Sequence, residues 1–254
     1  VYFFCRKRII DIELLREEVL CMEDINSRLL KIEERIKVAA KRSGRELSEI
    51  KLLPISKYHS LDKMRIVLDK GYLEFGESRV QELMEKNEKF SSEVEWHMIG
   101  HLQRNKVKYL ARMPRCKLIH SVDSLRLAKE INKRAKQEER IMNILVQVNT
   151  AQDDNKFGIY TKEAIEMVKK ISGFENVKVK GLMTIAPYSD NPEEVRPYFR
   201  KLRELAEKIE AEKIDGVEMK ELSMGMSNDL EVAIEEGATI LRVGSAIFGE
   251  REYN

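Results

Sequence analysis

The sequence predicts an α/β protein, a single (βα)8 TIM-type barrel with an extra N-terminal helix. Three observations carry that expectation. Eight short apolar runs recur along the chain, at 52–56, 72–75, 96–99, 117–121, 144–149, 178–184, 219–222 and 240–243. Segments with apolar residues at helical spacing fill the gaps, among them 79–90, 123–138, 162–172, 192–212 and 228–236, and such alternation is the pattern of a parallel sheet. The chain has 254 residues, the usual size of one closed barrel at roughly 250. It lacks the GxGxxG or Walker turn that opens many doubly wound sheets.

Taken in order, the chain begins with residues 1–21, an N-terminal extension of uncertain status. Its charges at Arg6, Lys7 and Arg8, and again from Asp11 onward, break the apolar core a signal peptide needs. Met22 then stands just before a strong helix signal over 23–42, where Ile25, Leu29, Leu30, Ile32, Ile36, Ala39 and Ala40 recur at helical spacing. Residues 22–254 are read as one barrel domain, since no linker or short-period repeat divides them. Each strand is followed by a polar or small-residue loop. In order these contain SKYHS, FGES, GHLQ, SVDS, NTAQDDNKFG, MTIAP, SMGMSND and VGSAIFG.

Composition narrows the function classes. Lys plus Arg number 46 and Asp plus Glu 44, a net charge of +2, which offers no basic excess for nucleic acid. The charges lie mostly in helix-like stretches such as EERIKVAAKR and read as solvated faces. Cys5, Cys21 and Cys116 are odd in number and show no CxxC spacing, which points to a reducing, cytoplasmic setting without disulfides or structural zinc. No apolar run approaches the roughly 18 residues of a membrane span.

The fold gives Lys57 a position, because barrel sites gather at the C-terminal strand ends and Lys57 stands just past the first. At the last two strand ends, Ser223, Gly225, Ser227 and Asn228, then Gly244 and Ser245, supply small residues and hydroxyls. Such residues let backbone N–H groups approach an anion, and these loops are a frequent phosphate site in barrels. Arg242 lies in the apolar run ATILRVG, where an unpaired guanidinium is costly. If Leu241 and Val243 face the helices, Arg242 points inward. Its acceptor is then a phosphate, a cofactor ring nitrogen, or an internal carboxylate such as Glu221. An amine, a phosphate cradle and an arginine in one mouth suit a phosphorylated aldehyde, and pyridoxal 5'-phosphate (PLP) meets all three needs.

The motifs LPISKYHS, FGESRVQEL, WHMIGHLQRNK, IHSVDS, VQVNTAQDDNKFG, GLMTIAP, LSMGMSNDLEVAIEEGATILRVGSAIFG and REY follow one another from about residue 25 to the C-terminus. In this the chain resembles the pyridoxal phosphate homeostasis proteins, whose fold is like the barrel domain of bacterial alanine racemase. The resemblance implies PLP held as a Schiff base on Lys57. It also implies phosphate contacts from Ser223, Ser227, Gly244 and Ser245, and Arg242 facing the ring nitrogen. Gly225, Met226 and Ser78 complete the expected cofactor-binding set. Ser78-Arg79 replaces the Asn-Tyr common in the family, so any contact made there by an asparagine is altered.

Other signals carry less. His97 and His101 are four apart, but 96–100 reads as strand and turn and lacks the Glu of HExxH, so no metal is expected. His101 is a candidate for the pocket lining, while His59 and His120 read as polar residues near the rim. Trp96 reads as core. Met183, Met224 and Met226 suit either core or ring packing, and Lys156 is a possible second amine whose default is exposure. The expected function is PLP binding in intracellular homeostasis, without turnover, by a monomeric carrier or buffer. PLP-dependent apo-enzymes are its further expected partners. The alternative is a PLP-dependent amino-acid racemase. The chain ends soon after the eighth strand, leaving no room for a racemase's second domain, and an arginine at the ring nitrogen makes the ring a weaker electron sink. Both favour the carrier.

Overall fold

The structure is a computed structural model that describes residues 2–90 and 93–250, with side chains described at 22 and from 24 onward. The REY stretch at 251–253 lies outside the described residues. Among the described residues nine parallel strands are formed: β1 (Lys51–Pro54), β2 (Glu74–Glu77), β3 (Glu95–Met98), β4 (Cys116–Val122), β5 (Met142–Asn149), β6 (Ile159–Tyr160), β7 (Val177–Met183), β8 (Val217–Ser223) and β9 (Ile240–Val243). Eight of them lie in the order β1-β9-β8-β7-β5-β4-β3-β2, and the short β6 pairs only with β5. The bridge between Ile55 and Gly76, with the Ser56 N–H donating to Gly76 O at 3.1 Å, joins the two ends of this order into a barrel.

Helices α1 (Tyr2–Ser43), α2 (Leu61–Leu68), α3 (Val80–Lys89), α4 (Val107–Ala111), α5 (Leu125–Gln137), α6 (Thr161–Ser172), α7 (Arg196–Ala211), α8 (Leu230–Glu235) and α9 (Ser245–Phe248) surround it. Each forms for local reasons. Ser124 Oγ accepts the Leu127 N–H and caps α5, whose Leu127, Ala128, Ile131 and Ala135 make one buried stripe. The expected helix at 192–212 is divided into a tight turn at Pro192–Val195 and then α7. Pro197 has no N–H to continue a ladder backward, so it sits in the first turn of α7, which starts at Arg196.

Strand alternation sorts side chains into two layers. Phe75, Trp96, Val146, Leu241 and Val243 pack outward with the helices. Leu53, Ile55, Leu118, Leu145, Met183 and Ile240 fill the barrel interior. Trp96 is core as expected, buried against Phe75 and Phe90, with its Nε1–H on Asn87 Oδ1 at 3.0 Å.

The extra helix is longer than the 23–42 expected from periodicity, and it braces the loops of the last two strands. Ile25, Leu29, Ile32, Ile36, Ala39 and Ala40 form its buried face, next to α8 and α9. Arg35 donates from Nη2 to Ser227 O at 2.9 Å and from Nε to Glu231 Oε1 at 2.6 Å. Arg45 Nη1 donates to Ile234 O and Ala238 O. Among the described residues no helix is long and apolar enough to cross a membrane.

Candidate cofactor site

Lys57 occupies the second position of a tight turn at the exit of β1. The His59 N–H donates to Ser56 O at 3.0 Å, and Tyr58 takes the left-handed conformation at φ 65°. For a tyrosine that costs about 1–3 kcal/mol and persists only where the surroundings enforce it. Here the Tyr58 N–H donates to Glu82 Oε1 at 2.7 Å and the Arg79 guanidinium lies 4.8 Å from its ring centroid. Below the turn, Lys86 Nζ donates to Ser56 O, Glu77 Oε1 and Glu82 Oε1 at 2.7–2.8 Å, and Ser56 Oγ donates to Glu77 Oε1 at 2.6 Å. Burial pushes the Glu77 carboxyl up to about 7 against the pull of Lys86. Lys57 is therefore a half-buried amine on a turn held from two sides.

The loops after β8 and β9 come to the same end of the barrel. Gly225 has φ 87°, and a Cβ there would sit 2.5 Å from Ala233 Cβ, so only glycine lets the loop fold onto α8. The loop is pinned by the Met226 N–H donating to Asp229 Oδ1 at 2.5 Å and by Arg35 on Ser227 O. The Arg242 N–H donates to Gly225 O at 3.0 Å, which ties this loop to β9. A Cβ on Gly244 would come within 3.2 Å of Ile55 O, two residues before Lys57. Ser245 follows as the first residue of α9, where backbone N–H groups lack intrahelical partners. Gly225, Met226, Ser227, Gly244, Ser245 and Lys57 are thus gathered at one mouth. Ser78 lies half-buried at the exit of β2, its carbonyl packed against Gly100 at the exit of β3.

Arg242 points into the barrel, in register with Leu53 of β1 and 5% exposed. Its Nη1 donates to Ser223 Oγ at 2.7 Å and its Nη2 to Thr184 O at 2.9 Å. Burial pulls the guanidinium down to about 10, with Asp229 acting in the other direction, so it remains a cation at neutral pH. Glu221, the carboxylate considered from sequence, instead accepts from Thr239 Oγ1 at 2.8 Å.

Ser223 does a different job from the phosphate contact that the resemblance implied. Its side chain points below the arginine into the barrel, where its hydroxyl meets Arg242 Nη1 and lies 2.8 Å from His120 Nδ1. His120 is likewise corrected, being buried inside the barrel rather than at the rim. From it, contacts of 2.8 Å run from Nε2 to His97 Nδ1 and from His97 Nε2 to Glu74 Oε2. Lys51 and Lys117 both bond Glu74 at 2.8 Å. Burial alone would raise the Glu74 carboxyl, but hydrogen bonds from His97, Lys117 and Lys51 hold it well below the ordinary carboxylate range. This interior series was missed in the sequence. Polar residues at strand positions 74, 97 and 120, each aligned with the inward face, were the available signal.

His97 and His101 do not converge. His101 faces the rim, 3.3 Å from Asp123 and stacked on Phe157 at 4.0 Å between centroids. His59 is buried against Phe248 rather than set at the rim. Met183 and Met224 are core, whereas Met226 is 38% exposed, and Lys156 is half-buried in the long loop after β5.

Residues 28–252 match the model of the family described as alanine racemase, N-terminal domain. A pyridoxal phosphate homeostasis protein of Aquifex aeolicus is 47% identical over 227 residues, covering 89% of this chain and 98% of that protein. Among solved structures, PipY of Synechococcus elongatus with PLP bound has a TM-score of 0.76 at 29% identity, covering 89% of this chain and 100% of that one. Alanine racemase of Clostridium difficile has a TM-score of 0.74 at 13% identity, covering 91% of this chain and 58% of that one, a likeness of fold. The chain belongs to the pyridoxal phosphate homeostasis protein family, built on the alanine racemase N-terminal domain.

Proposed function

We propose that this protein binds pyridoxal 5'-phosphate and acts in intracellular PLP homeostasis, as a monomeric carrier or buffer without turnover of its own. The observation that carries the reading is Arg242, a buried cation whose two Nη groups are bonded below and beside it at the centre of the mouth. Around it the glycines let the loops pack closely: a Cβ at 225 or 244 would press on Ala233 or Ile55. The residues fit the group. Ser227, Gly244 and Ser245, with the backbone around Gly225 and Met226, would hold the phosphate. Arg242 would face the ring nitrogen, Ser78 would line the side, and the Lys57 amine would take the aldehyde carbon. When bound, PLP supplies an aldehyde that an amine captures and a pyridine ring that delocalises negative charge.

The residues also bear on turnover. A guanidinium donates and never accepts, so Arg242 leaves the ring nitrogen without a proton and weakens the ring as an electron sink. Recipients of the cofactor would be PLP-dependent apo-enzymes. The test is an assay of PLP-loaded protein against D- and L-amino acids. Stoichiometric PLP with no racemisation is expected, and racemisation at ordinary enzyme rates, about 1–1000 s⁻¹, would replace the carrier by a racemase.

A further inference from the structure

Both ends of the interior series have a fixed hydrogen-bonding sense. Arg242 can only donate, and the Glu74 carboxylate, ionised between Lys51 and Lys117, can only accept. With both rings neutral, the state that burial favours, each group between them donates once in the same direction. Arg242 Nη1 donates to Ser223 Oγ, and the Ser223 hydroxyl donates to His120 Nδ1. His120 Nε2–H donates to His97 Nδ1, and His97 Nε2–H donates to Glu74 Oε2. Each neutral ring then carries its proton on Nε2. Burial favours the same state, since it lowers the pKa of His97 and lowers that of His120 further below the ordinary histidine value. An aligned chain of this kind is polarised along its length.

We propose that His120 and His97 are positioning residues for Arg242. With Ser223 and Glu74 they form a one-way relay through the barrel that links the buried guanidinium to a carboxylate at the opposite mouth. The relay uses one Nη1 proton and, with Thr184 O on Nη2, fixes the plane of the guanidinium. Its remaining N–H groups are thereby aimed at the ring. This last part rests on the reading that PLP occupies the mouth; the relay itself does not.

The first test uses the full chain, cofactor-free, with ¹⁵N-labelled histidine rings, each of the four histidines assigned by its removal. His97 and His120 should both show a protonated Nε2 and a bare Nδ1 at neutral pH. Ser223→Ala should shift the His120 Nδ1 signal toward that of an unbonded nitrogen. A proton on Nδ1 of either ring, or a doubly protonated ring, overturns the relay. The second test measures binding of PLP and of its analogue with carbon in place of the ring nitrogen. His120→Phe should weaken PLP by at least about tenfold, the loss of one charge-assisted hydrogen bond, and leave the analogue unchanged. His120→Asn, which keeps an acceptor for the Ser223 hydroxyl, should lose less. Equal losses for both ligands would make His120 merely structural and overturn the positioning role. A wild-type chain that binds no PLP would instead overturn the proposed function and leave the tautomer result standing.

Discussion

Replacing Arg242 with Met should weaken PLP binding while costing the fold little. The guanidinium is 5% exposed and burial pulls its pKa down to about 10. At about 1.36 kcal/mol per pKa unit, holding the charge inside costs the fold about 3 kcal/mol. The two charge-assisted hydrogen bonds, to Ser223 Oγ and Thr184 O, return about 3–6 kcal/mol. Methionine refills the volume without the charge but leaves both acceptors without their donor, so the cofactor-free variant should lose between about 0 and 3 kcal/mol. At about 2–4 °C per kcal/mol for a chain of this size, Tm should hold or fall by up to about 12 °C. The unfolded chain binds more protons only between pH 10 and 12.5, so stability rises with pH only there, and the comparison is insensitive to pH near neutrality. PLP binding should weaken at least about tenfold, because methionine cannot supply the charge-assisted hydrogen bond that the guanidinium would donate to the ring on the proposed reading. Thermal unfolding of the cofactor-free protein and a PLP titration supply the two readings. A fall in Tm of more than about 12 °C with unchanged PLP affinity would show that Arg242 is a structural strut and not a cofactor contact.

Two further outcomes follow from the same geometry. Ser227→Ala with Ser245→Ala removes two hydroxyls from the mouth, so PLP should bind at least about tenfold more weakly while pyridoxal, lacking the phosphate, is nearly unaffected; equal losses would show that these serines do not read the phosphate. Glu77, whose carboxyl burial raises from 4.5 to about 7, holds a proton in the folded chain that the unfolded chain releases, so folding stability should fall as pH rises through that window. Glu77→Gln should flatten the slope in urea unfolding at about pH 5 and pH 7, and an unchanged slope would remove Glu77 from the account.

Much of the fold was legible because most barrel strands contain an apolar run and most of the intervening helices keep a 3.6-residue period, whereas β2 (EFGE) holds two glutamates and lies two residues beyond the run at 72–75. The run at 240–243 coincides with β9. Where the period has too few turns to show, as in the two-residue β6 or the four-residue α9, pattern reading has nothing to work on. In the site, Lys57 and Arg242 stood out because each breaks an apolar pattern. The direction of a side chain did not. Ser223 belongs to the same small-residue loop as Ser227 in sequence, yet it is the last residue of β8 and its alternation sends it down under Arg242. His120 looked like a rim residue because it stands near the end of the expected strand at 117–121, but β4 runs on to Val122 and the His120 side chain lies inside the barrel. The partnership of Glu74, His97 and His120 spans three strands, and only the closed barrel brings them together.

On the proposed reading, the turn at the exit of β1 presents a reactive amine to a phosphorylated aldehyde. Borohydride reduction of the PLP-loaded protein, followed by peptide mass mapping, tests it directly. One phosphopyridoxyl adduct per chain is expected on Lys57, and its loss in a Lys57→Ala variant that still unfolds cooperatively. An adduct found only on another lysine, Lys156 included, or none at all, would contradict it.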